Sequence, residues 1–449
     1  MLTHSRRLLP SWSGVLAASI LPLILAGALL LRMGLSPMQG LDFDIGTNQG
    51  WAKSAVELGL ARSYTQQVSG AMLPNYPPFS MMIFATTGHI YKTFVSPVYD
   101  AGLPAYRIII KLPAIFADLL LCVLLGWIVA KMRGRNAGWL AAGIAALHPA
   151  IVYESAVWGQ TDSIFTLFLV ASIAALAWER TAIAAAFFTL AFLTKAQTAA
   201  LLPLFGVWYL IRPVRMLWGL AGSIPVLLIV LLPFAIGGAI PAVWNVYAGS
   251  VGYYPVISSA AYNFWWSLLA DSSWSRHDTE LVFGVITFRA AGYLLFTGIT
   301  GASLLVSIRR MIAPMTRKQT LGLLFLLASL SSFAFFLFLT EMHERYLFPF
   351  VAFGLPVAFL GRKEAWLYAL VSGLFFMNLL GYLAIGFIDR GLYNEFSSLD
   401  VFFASMQVFL FALLFGVLWS QRVVAVKKKW EWRAGFVKIR RMLIWQRKA

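Results

Sequence analysis

The chain has 449 residues, of which 60% are hydrophobic and only 12% charged, and its mean hydropathy is +0.78, far from the roughly quarter-charged composition of soluble domains. That balance excludes a soluble globular enzyme and indicates an all-α polytopic membrane protein. The net charge of +17 does not point to nucleic acid, because the basic residues form short clusters between hydrophobic spans, as the positive-inside rule predicts.

Trp12 to Leu31 predicts a retained first helix, since no small-x-small cleavage site follows it. Further apolar spans, each of the roughly 17–25 residues needed to cross a bilayer, begin near Tyr106, Ala137, Thr161, Ala182, Ala196, Met216, Phe283, Leu321, Tyr346, Trp366 and Val401. Together these make a bundle of about 12 transmembrane helices, by the same length criterion. The first polar interruption, Leu41 to Phe79, opens a long outer loop. A further apolar segment, Phe79 to Val95, is short, follows Pro77-Pro78 and carries His89 and Lys92. Counting it as a crossing would place Lys131, Arg133 and Arg135 outside and invert every later basic cluster. It is therefore expected as a surface or re-entrant helix over the outer mouth of the bundle, with both termini cytoplasmic.

No repeat or linker divides residues 1–426, which read as one membrane domain. Residues 427–449 read as a basic amphipathic cytoplasmic tail, with nine Lys and Arg residues interleaved with Trp430, Trp432 and Trp445, suited to an anionic inner leaflet. The lone Cys122 excludes an intramolecular disulfide, and no asparagine opens a glycosylation sequon, which favours a bacterial inner membrane over the endoplasmic reticulum.

With this topology the inner side carries basic residues, and the outer side collects Asp42, Asp44, His148, Glu154, Asp162, Lys195, Asp271, His277, Glu341, His343, Glu344 and Arg345. Ionisable groups at membrane depth are costly and mark function or mutual pairing. Asp118 fits either a packing ion pair or a functional acid. Glu154, Trp158, Gln160 and Asp162 form a candidate sugar-binding rim, aromatic for a pyranose face and polar for its hydroxyls, although Asp162 equally suits a helix N-cap. Lys195, beside Gln197, suits a lipid phosphate or simple snorkelling. In Glu341-Met342-His343-Glu344-Arg345-Tyr346, a zinc-hydrolase motif fails because position 347 is Leu. His343 and Arg345 instead offer donors to a phosphate, with Glu344 balancing their charge. Asp42-Phe43-Asp44 is formally a D-x-D, but there is no nucleotide-binding domain to use it.

A carboxylate at a membrane surface, cations for phosphate and a hydroxyl-recognising rim fit glycosyl transfer from a lipid-phosphate sugar. One base suffices, because phosphate is a good leaving group. The ordered set Asp44…Trp51, Tyr76-Pro77-Pro78, Ala117-Asp118-Leu119-Leu120, Trp158-Gly159-Gln160-x-Asp162-Ser163, Lys195-x-Gln197 and His343-Glu344-Arg345-Tyr346 resembles the GT-C membrane glycosyltransferases. The similarity is to the bacterial branch related to the GPI mannosyltransferase and, more distantly, to the lipid-phosphate-glucose-dependent enzymes of N-glycan assembly. It runs from about residue 40 to 350.

The resemblance implies that Asp44, seven positions before Trp51, is the general base, that His343 touches the donor phosphate, and that no metal or other cofactor is required. It implies a polyprenyl-phosphate hexose donor, mannose favoured and glucose possible, and a lipid-linked or glycan acceptor bound near Asp42, Trp51, Tyr76 and the Trp158 to Asp162 rim. The alternative is a multi-pass transporter or flippase of lipid-linked sugars. Transporters place coupling charges near the midplane within inverted repeats, and this chain has one deep acid, Asp118, and no evident repeat.

Overall fold

A computed structural model describes residues 12–383 and 399–426; the basic tail expected at 427–449 lies outside the described residues. The helices are α1 (Trp12–Leu35), α2 (Asp42–Glu57), α3 (Pro78–Phe94), α4 (Pro104–Arg133), α5 (Arg135–Leu147), α6 (Pro149–Val152), α7 (Asp162–Ala177), α8 (Thr181–Thr194), α9 (Leu202–Leu210), α10 (Pro213–Ile236), α11 (Ile240–Ala248), α12 (Phe264–Leu269), α13 (Ser272–Ser275), α14 (Phe288–Ile312), α15 (Arg317–Phe338), α16 (Phe348–Ala358), α17 (Arg362–Leu383) and α18 (Asp400–Val426). All twelve expected segments are helical. Length and apolarity alone qualify six of the described helices as membrane spans, or seven if α5 and the bent segment after it count as one. Five further helical segments are apolar but shorter, so a count of twelve needs these to cross as well.

The polytopic bundle is centred on α15, whose most apolar stretch is 94% buried inside the protein and which packs against α7, α14, α16 and α18. A helix apolar on every side has its place at such a centre. At one end, Trp127 stacks on Trp178 at 4.5 Å between Lys131 and Arg317, and Arg212 lies 3.8 Å over Trp208. The basic and tryptophan-rich helix ends thus gather together, as the charge pattern predicts.

The opposite end carries the polar cluster. The stretch after Leu41 is not an extended loop but the helix α2, whose first turn holds Asp42 and Asp44, favourable at the positive end of the helix dipole. Helix α3 starts with Pro78 at its first position, where a missing N–H costs nothing. It packs on α2, α4 and α8, and with 17 residues it is shorter than the candidate spans. At His148-Pro149 the chain bends by 45° and runs through a π-helical turn, Tyr153–Trp158, closed by Gly159 at φ +90°. Between α11 and α14, Ser258–Ser259 pairs in parallel with Met342–His343, which ties that long connection to the Glu341 to Arg345 run.

Candidate active site

Asp44 is half-buried, and its Oδ2 accepts hydrogen bonds from Trp158 Nε1 at 2.8 Å and Gln160 Nε2 at 2.7 Å. Two donors on one oxygen fix the carboxylate plane and leave Oδ1 free of both. The turn that supplies them is itself pinned. Lys111 Nζ donates to the carbonyls of Met38, Ala156 and Val157 at 2.7–3.0 Å, satisfying acceptors that a helix end leaves open. At Gly159 a Cβ would lie 2.3 Å from Ile45 Cδ1, so the close approach of this turn to α2 requires glycine. Asp42 lies two residues earlier, about 200° around the helix. It is exposed and accepts from Gln39 Nε2 at 2.6 Å.

Asp44 opens into a cavity of about 640 Å³ that is also lined by Trp51, Tyr76, Gln160, Lys195, Gln197 and Arg345. Trp51 packs on Tyr76 at 5.0 Å and on Phe84 at 5.6 Å. Lys195, at the break after α8, bonds Asp162 and lies 5.3 Å over the Tyr76 ring. Arg345 bonds Glu344 at 2.9 Å and stands 4.0 Å from Asp162. Burial works against the Arg345 charge, and the Asp44 and Glu344 carboxylates outweigh it, holding the guanidinium protonated. Burial likewise opposes ionisation of Glu344, but His343 and Arg345 hold its carboxyl below the ordinary range.

Four predicted residues stand behind the cavity wall rather than on it: Trp158, Asp162, His343 and Glu344. The Trp158 indole stacks on Tyr382 at 5.7 Å, so this ring and the Gln160 amide hold Asp44 instead of presenting a free rim. His343 is buried edge-to-face between Tyr254 at 4.9 Å and Tyr346 at 5.2 Å. Its Nδ1 is 3.7 Å from Glu344 Oε2, too long for a hydrogen bond.

Asp118 is part of a fully buried pair with Arg32, Nε to Oδ2 at 2.8 Å, and also accepts from Ser155. Arg32 Nη1 donates to the carbonyls of Ala28 and Ala146, so the pair ties α1, α4, α5 and the π-helical turn. The sequence left the partner of Asp118 unspecified and gave no signal for Arg32, whose position at the end of an apolar span suggests only interface charge. It also gave Glu341 no role. That residue adopts φ +63°, accepts from the Gly252 and Tyr254 N–H groups and faces Arg289 at 3.4 Å, while Arg289 forms a two-pronged bond to Asp278. The result fixes the Gly252 to Tyr254 backbone beside the cavity. Among the described residues, no group of three or more His, Cys, Asp or Glu side chains is arranged to hold a metal ion.

No family model matches the chain, and no curated protein matches it. Among solved structures, the fold is similar to ArnT from Cupriavidus metallidurans bound to undecaprenyl phosphate, with a TM-score of 0.48 and 16% identity over 88% of this chain and 77% of that one. The apo state of the same protein gives a TM-score of 0.47 and 15% identity over 90% of this chain and 78% of that one. At this level the likeness has no bearing on chemistry.

Proposed function

We propose that the protein is an inverting membrane glycosyltransferase of the GT-C type, moving a hexose from a polyprenyl-phosphate donor to a lipid-linked or glycan acceptor. The observation that carries this reading is the Asp44 carboxylate, held through Oδ2 by Trp158 and Gln160 in a cavity shared with Lys195 and Arg345. Asp44 Oδ1 takes the proton of the acceptor hydroxyl, whose oxygen forms the new bond to the anomeric carbon. The bond from that carbon to the phosphate oxygen breaks, and its electron pair leaves with the lipid phosphate. Arg345 and Lys195 stabilise the departing charge. Attack opposite the leaving group inverts the anomeric configuration. Mannose is favoured over glucose on the motif resemblance, and the site is placed at the extracytoplasmic face of a bacterial inner membrane by the charge rule.

The test is transfer of radiolabelled mannose or glucose from polyprenyl-phosphate donors to a membrane lipid extract, in EDTA, by wild type and Asp44→Asn. Wild-type transfer is expected to survive EDTA and to fall about 10²–10⁴-fold in the variant, the range for loss of a general base. A near-normal rate in Asp44→Asn refutes the mechanism. Absence of wild-type transfer with both sugars refutes the donor assignment.

A further inference from the structure

One face of the cavity is uncharged beyond Asp44. Asp44, Thr47, Asn48 and Trp51 line it from α2, at spacings of three, four and seven residues that bring them to one side of the helix. From Asp44 to Trp51 that side extends about 10 Å. The lining contributed by residues 64–77 and by α11 contains no charged side chain. The charges other than Asp44 come from elsewhere, in Lys195, Glu341 and Arg345.

The polar tips of the two largest rings on this face are already engaged. Trp51 Nε1 donates to the Met72 carbonyl at 3.1 Å, and the Tyr64 hydroxyl donates to the Tyr76 carbonyl at 2.7 Å. Their remaining cavity surface is apolar. The amides differ, because Asn48 donates to the Gly159 carbonyl at 3.3 Å, whereas Asn75 Oδ1 is buried with no hydrogen-bond partner among the described residues. A buried acceptor left unpaired calls for a donor from a ligand.

We propose that this face is the acceptor subsite and that it takes the uncharged end of a glycan at least two rings long. The attacked hydroxyl sits at Asp44, and a following ring rests against the Trp51 side. Pyranose faces match the aromatic surface, and hydroxyls donate to Asn75 and exchange hydrogen bonds with Asn48 and Thr47. A phosphate or carboxylate placed here would lose its hydration without a cation to replace it. The proposal rests on the glycosyl-transfer reading, but sugar binding needs no donor, so the two fail separately.

Saturation-transfer NMR on the full chain in nanodiscs would compare mannotriose with the same trisaccharide bearing a terminal 6-phosphate. Mannotriose is expected to bind, and the phosphorylated sugar to bind at least about tenfold more weakly. Asn75→Leu, which keeps the bulk and removes the acceptor, should weaken mannotriose binding about tenfold without lowering the unfolding midpoint, since it deletes a buried polar atom that has no partner in the free protein. Equal or tighter binding of the phosphorylated sugar, no effect of Asn75→Leu in the folded protein, or no mannotriose binding at all overturns the proposal. Intact mannotriose binding alongside absent sugar transfer would instead count against the reaction.

Discussion

Replacing Asp118 with Asn removes one charge from a pair closed off from bulk solvent. Arg32 and Asp118 are both fully buried and 2.8 Å apart, and Arg32 further bonds the Ala28 and Ala146 carbonyls. The single variant leaves the guanidinium buried without its counter-ion, a loss of about 3–5 kcal/mol. Arg32→Met strands the carboxylate and should cost a similar amount. In the double variant neither charge remains, so it should be no less stable than either single variant, and the cycle should return a coupling of at least about 3 kcal/mol. Equilibrium unfolding in mixed detergent micelles, followed by tryptophan fluorescence, measures all four proteins. Single-variant losses below about 1 kcal/mol, or no coupling, would refute the claim that the pair is a structural tie. Sugar transfer by the double variant bears on the rival transporter reading, which would need Asp118 as a coupling acid. Retained transfer excludes that use, and complete loss with recovered stability restores it.

Gln160→Met and Trp158→Phe each delete one hydrogen bond to Asp44 while keeping bulk. Each should lower kcat about five- to tenfold, from about 1–1.5 kcal/mol of lost orientation, with the donor KM unchanged; unchanged kcat in both would contradict the positioning. Gly159→Ala must fit a Cβ 2.3 Å from Ile45 Cδ1 at φ +90°. It should destabilise the protein by about 1–3 kcal/mol and impair transfer, as read by a thermal midpoint and an activity assay. The depressed carboxyl of Glu344 contributes stability that is fully present above the unfolded value of about 4.3 and is lost as pH falls through its lower folded value. Wild type should therefore lose stability relative to Glu344→Gln as pH falls from about 4.3 through the lower folded value. Parallel thermal midpoints for the two proteins across the range would refute this.

Much of the site was legible because ionisable residues are scarce in an apolar chain, and the few outside the basic clusters stand out. Asp44, Lys195 and Arg345 are three such positions, and all line one cavity together with the Gln197 amide. Local pattern does not show a distant partner. Trp158 and Gln160 read as a sugar rim, and both donate to Asp44, separated from it by 114 and 116 residues, while Gln160 also lines the cavity. His343 read as a phosphate contact, and the structure sets its ring between two tyrosines. The helix α2 was also hidden, because its apolar periodicity is weak and its polar residues point into the cavity.

The sequence alone determined that the protein is a helical membrane bundle, where its helical segments begin, that the acidic groups of the described residues other than Glu179 and Glu364 keep away from the basic clusters at the helix ends, and that Pro77-Pro78 leads into a helix. Those are consequences of transfer energies and backbone restrictions that act residue by residue. Only the tertiary structure decided that Arg32 neutralises Asp118, that Glu341 holds the Gly252 to Tyr254 segment, and that one oxygen of Asp44 is engaged while the other is left free. Each of these depends on which distant side chains meet. Burial makes such a meeting obligatory for a charged group, but it does not specify the partner's position along the chain.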